Sequence, residues 1–380
     1  MVRSSIVTAP ADEAAGRNED AAVVDVVCLG ESMVTFLPSR PGRLADVPSF
    51  GRGIGGAESN VACALAAAGH RARWVGRVGA DGFGDHLVDT IAGYGVDTSA
   101  VSRDPHRPTG VYFRTADDRD ADGFEVVYHR AGSAASAMSP LTVPLDELAA
   151  GRVLHLSGIT AALSADCLDL MRTLTARRAG RPLVSFDVNH RANLWRGPDG
   201  PRVLLDLARG ADLVFVGEDE ALTAWGVRGA AAIRATLPQP GTLVVKQGAA
   251  GATVYTRTGA GSDTVTTVPA PRVDVVAPVG AGDAFAAGFL SATLRGLPVR
   301  DRLRHGHLMA AAALTVPGDL GTPPSRAHAD RLAALDPQAW GRLRLGPGWT
   351  GANAAPGAAP ATGAGPAPAQ GADDQEERTP

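Results

Sequence analysis

The chain has 380 residues, 45% of them hydrophobic, and a formal net charge of −4. That balance argues against a nucleic-acid binder, which needs a clustered basic surface, and no apolar run reaches the ~18 residues of a membrane span. Thirty-five of the 36 basic residues are arginine, and the sole lysine, Lys246, precedes Gln247, so there is no Walker A Gly-Lys-Ser/Thr loop and only Lys246 could carry Schiff-base chemistry.

Residues 1–20 are polar and aperiodic, and 351–380 are mostly Ala, Gly, Pro and acids. Neither stretch can bury enough surface to offset its ordering entropy. A folded domain is expected over 21–345, with disordered extensions at 1–20 and 346–380. Acids stand near the N-terminus where a signal peptide needs an apolar stretch, so a cytoplasmic protein is expected. Cys28, Cys63 and Cys167 are odd in number and far apart, which fits reduced, buried thiols.

Short apolar runs at 23–29, 72–78, 152–156, 182–187, 212–216 and 242–246 read as strands. Helices are expected between them at 57–68, 83–94, 164–179, 200–209 and 218–225. Strands apolar throughout belong to a sheet covered on both faces. The alternation predicts an α/β fold, a mainly parallel sheet in three layers. Two stretches break the rhythm. Residues 31–54 and 109–131 alternate as extended chain and predict a small antiparallel lid. Beyond 282 the chain turns helical, at 282–296, 300–315 and 325–335.

Pro278-Val279-Gly280-Ala281-Gly282-Asp283 is a glycine-rich turn that opens a helix. Amides at a helix N-terminus converge on one point and the helix dipole adds positive potential there, so this turn is an anion hole. Asp283 in the first helical turn could accept a proton from an attacking hydroxyl, or it could simply cap the helix. Gly51-x-Gly53-x-x-Gly56 matches a dinucleotide fingerprint on paper, but the stretch before it contains Pro48 and makes a poor central strand.

Gly280-Ala281-Gly282-Asp283 followed by Ala-Phe-x-x-Gly-Phe resembles a signature of the ribokinase-like carbohydrate kinases, the PfkB group. A second signature runs from Gly55-Gly56-Ala57-Glu58-Ser59-Asn60 through Gly76, Gly79 and Asp81 to Gly95-Val96. The resemblance covers about 24–335 and implies a three-layer α/β/α ribokinase-like fold with a β lid. It implies phosphoryl transfer from ATP, with Mg²⁺ bridging the phosphates. Asp283 is then the base, and Gly280, Ala281 and Gly282 cradle the transferring phosphoryl group.

Within the group, four segments are most similar to kinases of 2-keto-3-deoxygluconate: Thr109–Arg114, Tyr128–Ser136, His155–Thr160 and Asp187–Arg191 with Leu194-Trp195. A sugar acid carries a carboxylate, which arginine matches with paired donors. The resemblance implies sugar contacts at Gly55, Gly56, Ala57, Asn60, Tyr112, Tyr128, Arg130, Arg191 and Asp319. It implies ATP contacts at Asn189, Lys246, Gly248, Gly251, Gly280, Gly282 and His307, and places Glu220 near the metal. The chain departs from the family pattern at Gly217 and His307, where Asn is usual, and at Ala277. A neutral-sugar kinase such as a fructokinase, and a non-catalytic sugar-binding regulator, are the alternatives. The expected partners are a small sugar acid and ATP, with no nucleic acid and no membrane, and exposed lid edges predict a homodimer.

Overall fold

In the computed structural model, which describes residues 24–115, 125–195, 197–259 and 261–351, the first apolar run forms β1 (Val24–Leu29), buried from Val26 onward. The chain then leaves for the lid with β2 (Met33–Pro38) and β3 (Phe50–Gly55), and α1 (Ala57–Ala67) brings it back. β4 (Ala72–Val75) and β5 (Arg77–Gly79) precede α2 (Gly82–Gly93), whose start is capped by the Asp81 carboxylate. A short β6 (Ser102–Asp104) leads to the second lid pair, β7 (Val111–Arg114) and β8 (Val126–His129).

From here strands and helices alternate. α3 (Leu145–Ala149), β9 (Gly151–Ser157), α4 (Gly158–Ala161), α5 (Ala165–Thr175) and β10 (Leu183–Asp187) come first. α6 (Gly200–Gly210), β11 (Leu213–Gly217), α7 (Glu218–Trp225), α8 (Ala230–Thr236) and β12 (Thr242–Lys246) follow. β13 (Ala252–Arg257), β14 (Asp263–Val268) and β15 (Arg272–Val273) lead into the helical end. That end is α9 (Ala281–Leu294), α10 (Val299–Leu314), α11 (Arg326–Ala333), α12 (Pro337–Arg342) and the short β16 (Arg344–Leu345).

The main sheet has eight strands in the order β14-β13-β12-β11-β10-β9-β1-β4. The run from β12 to β4 is parallel, and β13 and β14 add to it antiparallel. Successive side chains of β1 point to opposite faces. Val26 and Cys28 join a core with α1, α9 and α10. Val27 and Leu29 join a second core with α5 and α6. Two buried faces explain why the central strands read as continuous apolar runs. The antiparallel edge does not read that way: Thr253, Thr256, Thr264, Thr266 and Thr267 interrupt its apolar residues, and much of β14 is exposed.

The lid is a four-stranded sheet, β3-β2-β7-β8. β2 pairs antiparallel with β3, and β7 with β8, but β2 and β7 run parallel. This corrects the fully antiparallel expectation. The excursion through α1 and α2 between those strands lets β7 arrive in the direction of β2. Alternation sorts the lid's faces. Phe113 stacks on Phe36 with ring centroids 4.7 Å apart, whereas its neighbour Tyr112 meets Tyr128 at 5.4 Å on the other face. Gly51 and Gly53 lie in β3, so the paper fingerprint is a lid strand and not a nucleotide turn.

The three cysteines are free and buried. Leu345 and Trp349 are also buried, so folded chain extends a few residues past 345. The expected extension at 1–20 and the rest of the tail lie outside the described residues. Among the described residues no helix is long and apolar enough to cross a membrane.

Candidate active site

The carboxyl ends of the parallel strands and the inner face of the lid enclose a cleft of about 390 Å³. At its floor lies the N-terminus of α9. Gly280 is the N-cap in the left-handed region, φ 70° and ψ −6°, and no side chain caps the helix. Ala284 N–H is the first to reach back along the helix, to the Gly280 carbonyl. The amides ahead of it are the unpaired donors every helix start carries, and here they line the cleft. A Cβ on Gly280 would stand 2.1 Å from the Asp319 carbonyl oxygen. Glycine is therefore required twice, by its φ and by that contact. A Cβ on Gly282 would meet only the Lys246 ammonium, at 3.5 Å.

Asp283 does not cap its helix. Its Oδ2 accepts a 2.9 Å hydrogen bond from Asn60 Nδ2 at the start of α1. Burial pushes the Asp283 carboxyl up to about 7; the Asn60 bond and the Lys246 charge oppose that rise, and the Asp187 and Asp319 charges add to it. A carboxyl poised near neutrality, beside free amides, is suited to take a proton from an alcohol.

Lys246, at the end of β12, places its ammonium 2.8 Å from Asp187 at the end of β10. Burial works against the Lys246 charge, but Asp187, Glu220 and Asp283 outweigh it and its pKa is raised. It is a permanent cation next to the free amides of the α9 start and a poor imine former. Asn189 follows β10 in the left-handed region, φ 41°, buried with an unpartnered Oδ1. Strain of this kind is held where the surroundings over-determine it, commonly at binding sites.

On the lid side, Asp319 accepts from Tyr112 Oη and from Arg114 Nη2, both at 3.2 Å. Burial raises the Asp319 carboxyl, against the Arg114 charge. A Cβ on Gly55 would lie 2.2 Å from Tyr112 Oη and 2.9 Å from Asp319 Oδ2, so that glycine makes room for the pair. Arg130, just past β8, lies 5.7 Å from the Tyr128 ring centroid and is ion-paired with Glu31.

Sixteen of the residues expected from the sequence line this one cleft. They are Gly55, Gly56, Ala57, Asn60, Tyr112, Tyr128, Arg130, Asn189, Arg191, Glu220, Lys246, Gly280, Ala281, Gly282, Asp283 and Asp319. Asn60, expected to touch sugar, reaches the candidate base as well. Glu220 Oε2 accepts from the Gly217 amide, 3.1 Å away, so it partly closes its own helix start. Three expected residues do not line the cleft. Gly248 and Gly251, at φ 55° and 124°, make the turn between β12 and β13. His307 is buried, with Nε2 3.2 Å from the Val268 carbonyl and its ring edge-on to Phe285. It packs in the core, not against the cleft. Burial lowers its pKa to about 4. Sequence reasoning missed Glu31, Arg114 and the Asp187 partner of Lys246, all of which line the cleft. For Asp187 a signal existed, since carboxyl ends of parallel strands are where α/β sites gather.

Known proteins are similar to this chain in sequence and in fold. A family described as pfkB family carbohydrate kinase matches residues 24–326. The chain is 36% identical over 321 residues to a 2-dehydro-3-deoxygluconokinase of Bacillus subtilis (strain 168), covering 82% of this chain and 95% of that protein. It is 31% identical over 324 residues to Fructokinase-2 of Zea mays, covering 81% and 94%. The crystal structure of a PfkB protein from Polaromonas sp. JS666 superposes with a TM-score of 0.71 at 35% identity, covering 81% of this chain and 99% of that one.

Proposed function

The chain belongs to the pfkB family of carbohydrate kinases, and from that premise we propose that it phosphorylates 2-keto-3-deoxygluconate at its terminal hydroxyl, using ATP and yielding the 6-phosphate. Asp283 takes the hydroxyl proton while the amides of the Gly280–Gly282 turn and the Lys246 ammonium hold the charge of the transferring group. Asn189, Gly280 and Gly282 face the nucleotide phosphates. Among the described residues no cluster of three His, Cys, Asp or Glu could hold a metal ion. Mg²⁺ would be held chiefly on phosphate oxygens and water, with Glu220 among the carboxylates of the cleft. It would supply neutralisation of phosphate charge.

The observation that carries the acid substrate is the arginine set of the cleft. Arg130 lines it with a buried Nε that has no protein partner. Arg191 is half exposed, bonded to the His190 carbonyl and 3.8 Å from Glu220. Both guanidinium groups line the cleft, where a substrate carboxylate would meet them. In a coupled ADP-release assay the expected result is turnover of the sugar acid well above fructose. Arg130→Ala is expected to lower kcat/KM for the acid by about 10–100-fold, the range for a charged hydrogen bond, and to leave any fructose turnover unchanged. The kinship with a fructokinase favours the second reading; preference for fructose, indifferent to Arg130→Ala, would establish it. Sugar binding without ADP release would point instead to a regulator. The reading includes a homodimer through the lids, because Val127 and Tyr128 are exposed on the edge strand β8. Sedimentation velocity should give a single species of twice the chain mass, shifting to monomer when Val127 and Tyr128 are both replaced by Lys.

A further inference from the structure

Glu31 lies in the turn between β1 and β2, with its side chain only 1% exposed. A carboxylate is rarely buried so far without a partner, and here it has two. One is the Arg130 guanidinium through Nη2, and the other is the Ser133 hydroxyl, 2.7 Å away. Both partners belong to the segment that leaves lid strand β8 for the core. The room is made by glycine: a Cβ on Gly110 would come within 3.0 Å of Glu31 Oε1 and 3.5 Å of Arg130 Cβ. The same residue's backbone touches the sugar end of the cleft, since a Cβ on Gly56 would strike the Glu31 carbonyl oxygen at 2.4 Å. Thus Glu31 joins the root of the lid, the arginine on the cleft wall and the glycine at the start of α1.

We propose that Glu31 is a positioning residue for substrate recognition, holding the Arg130 guanidinium through Nη2 and so fixing that side chain at the cleft wall for the substrate carboxylate. This rests on the acid-kinase reading above. An unheld arginine has many rotamers and loses their entropy on binding. Pinned by a buried carboxylate and by the Tyr128 ring, it meets the ligand already ordered. The pairing also leaves Arg191 as the less neutralised cation of the cleft, so the carboxylate is gripped between an oriented donor and a looser charge.

The test is steady-state kinetics of Glu31→Gln, Arg130→Ala and the double variant. Gln keeps the size and can still accept from Ser133, but it cannot ion-pair. Glu31→Gln is expected to raise KM for the sugar acid about tenfold, with kcat within threefold of wild type and KM for ATP unchanged. The double variant should be no worse than Arg130→Ala alone, because the two residues act as one unit. Independent, multiplying effects would overturn the proposal, as would an unchanged KM in Glu31→Gln. A general structural role would instead lower kcat for every sugar together with the melting temperature, and that outcome also overturns it. If wild type prefers a neutral sugar, the acid reading fails by itself; the same double-mutant comparison on that sugar still decides whether Glu31 works through Arg130.

Discussion

Replacing Asp283 by Asn should cut kcat by about 10³-fold, within the range set by loss of a general base, and leave sugar affinity nearly intact. Asn keeps the shape and can still bond to Asn60, so the cleft is preserved and only proton acceptance is removed. Isothermal titration with sugar and ADP-release assays measure the two halves of this expectation separately. The wild-type profile of kcat/KM should fall below about pH 7, where the Asp283 carboxyl takes up its proton. Asn60→Ala should move that limb to higher pH, because the bond it removes favours the ionised form. Stability should respond in the opposite sense to activity. The carboxyl ionises near its ordinary value in the unfolded chain but only near 7 in the fold, so the wild type loses stability as pH rises between those points. Asp283→Asn has no such loss, and its melting temperature should exceed wild type by more at pH 8 than at pH 5. Full activity in Asp283→Asn would remove the base from the mechanism.

The sequence makes one kind of feature legible and conceals another. Strands such as β1 and β11 are readable because both faces are covered, and local periodicity reports that directly. The helix-opening turn is readable because Gly280-Ala281-Gly282-Asp283 is contiguous, with geometry set by neighbours along the chain. The pairs that tune the site are not contiguous. Lys246 lies 59 positions from Asp187, and Arg114 lies 205 from Asp319. No spacing rule links such residues; only the fold brings them together. Glu31 hides for a related reason, since Gly30-Glu31-Ser32 reads as an ordinary polar turn and its burial comes from the lid folding over it. Among 35 arginines, those buried in the cleft look like the rest. The Thr-rich β13 and β14 lack the apolar run that marked the other strands. His307 illustrates the converse. A position taken from family resemblance can be filled by a side chain that packs away from the site.

Gly280→Ala should be nearly as damaging as loss of the base, and for a purely geometric reason. An alanine at φ 70° costs about 1–2 kcal/mol by itself. Its Cβ would also overlap the main chain of Asp319, with the carbonyl oxygen at 2.1 Å and the carbonyl carbon at 2.9 Å. No side-chain rotation relieves a backbone contact, so either the turn or the Asp319 segment has to move. Moving the turn re-aims the amides proposed to receive the phosphoryl group, which should cost about 10²–10³-fold in kcat. Moving Asp319 instead pulls on Tyr112 and Arg114, both bonded to its carboxylate, and should raise KM for the sugar. Either route lowers the melting temperature. Gly282→Ala is the matched control. It sits inside the helix, where alanine is favoured, and its Cβ meets only the flexible end of Lys246. It should fold with wild-type stability while raising KM for ATP, because the methyl group narrows the approach to the amides. Equal behaviour of the two variants would mean that strain at Gly280 is not what orients the anion hole.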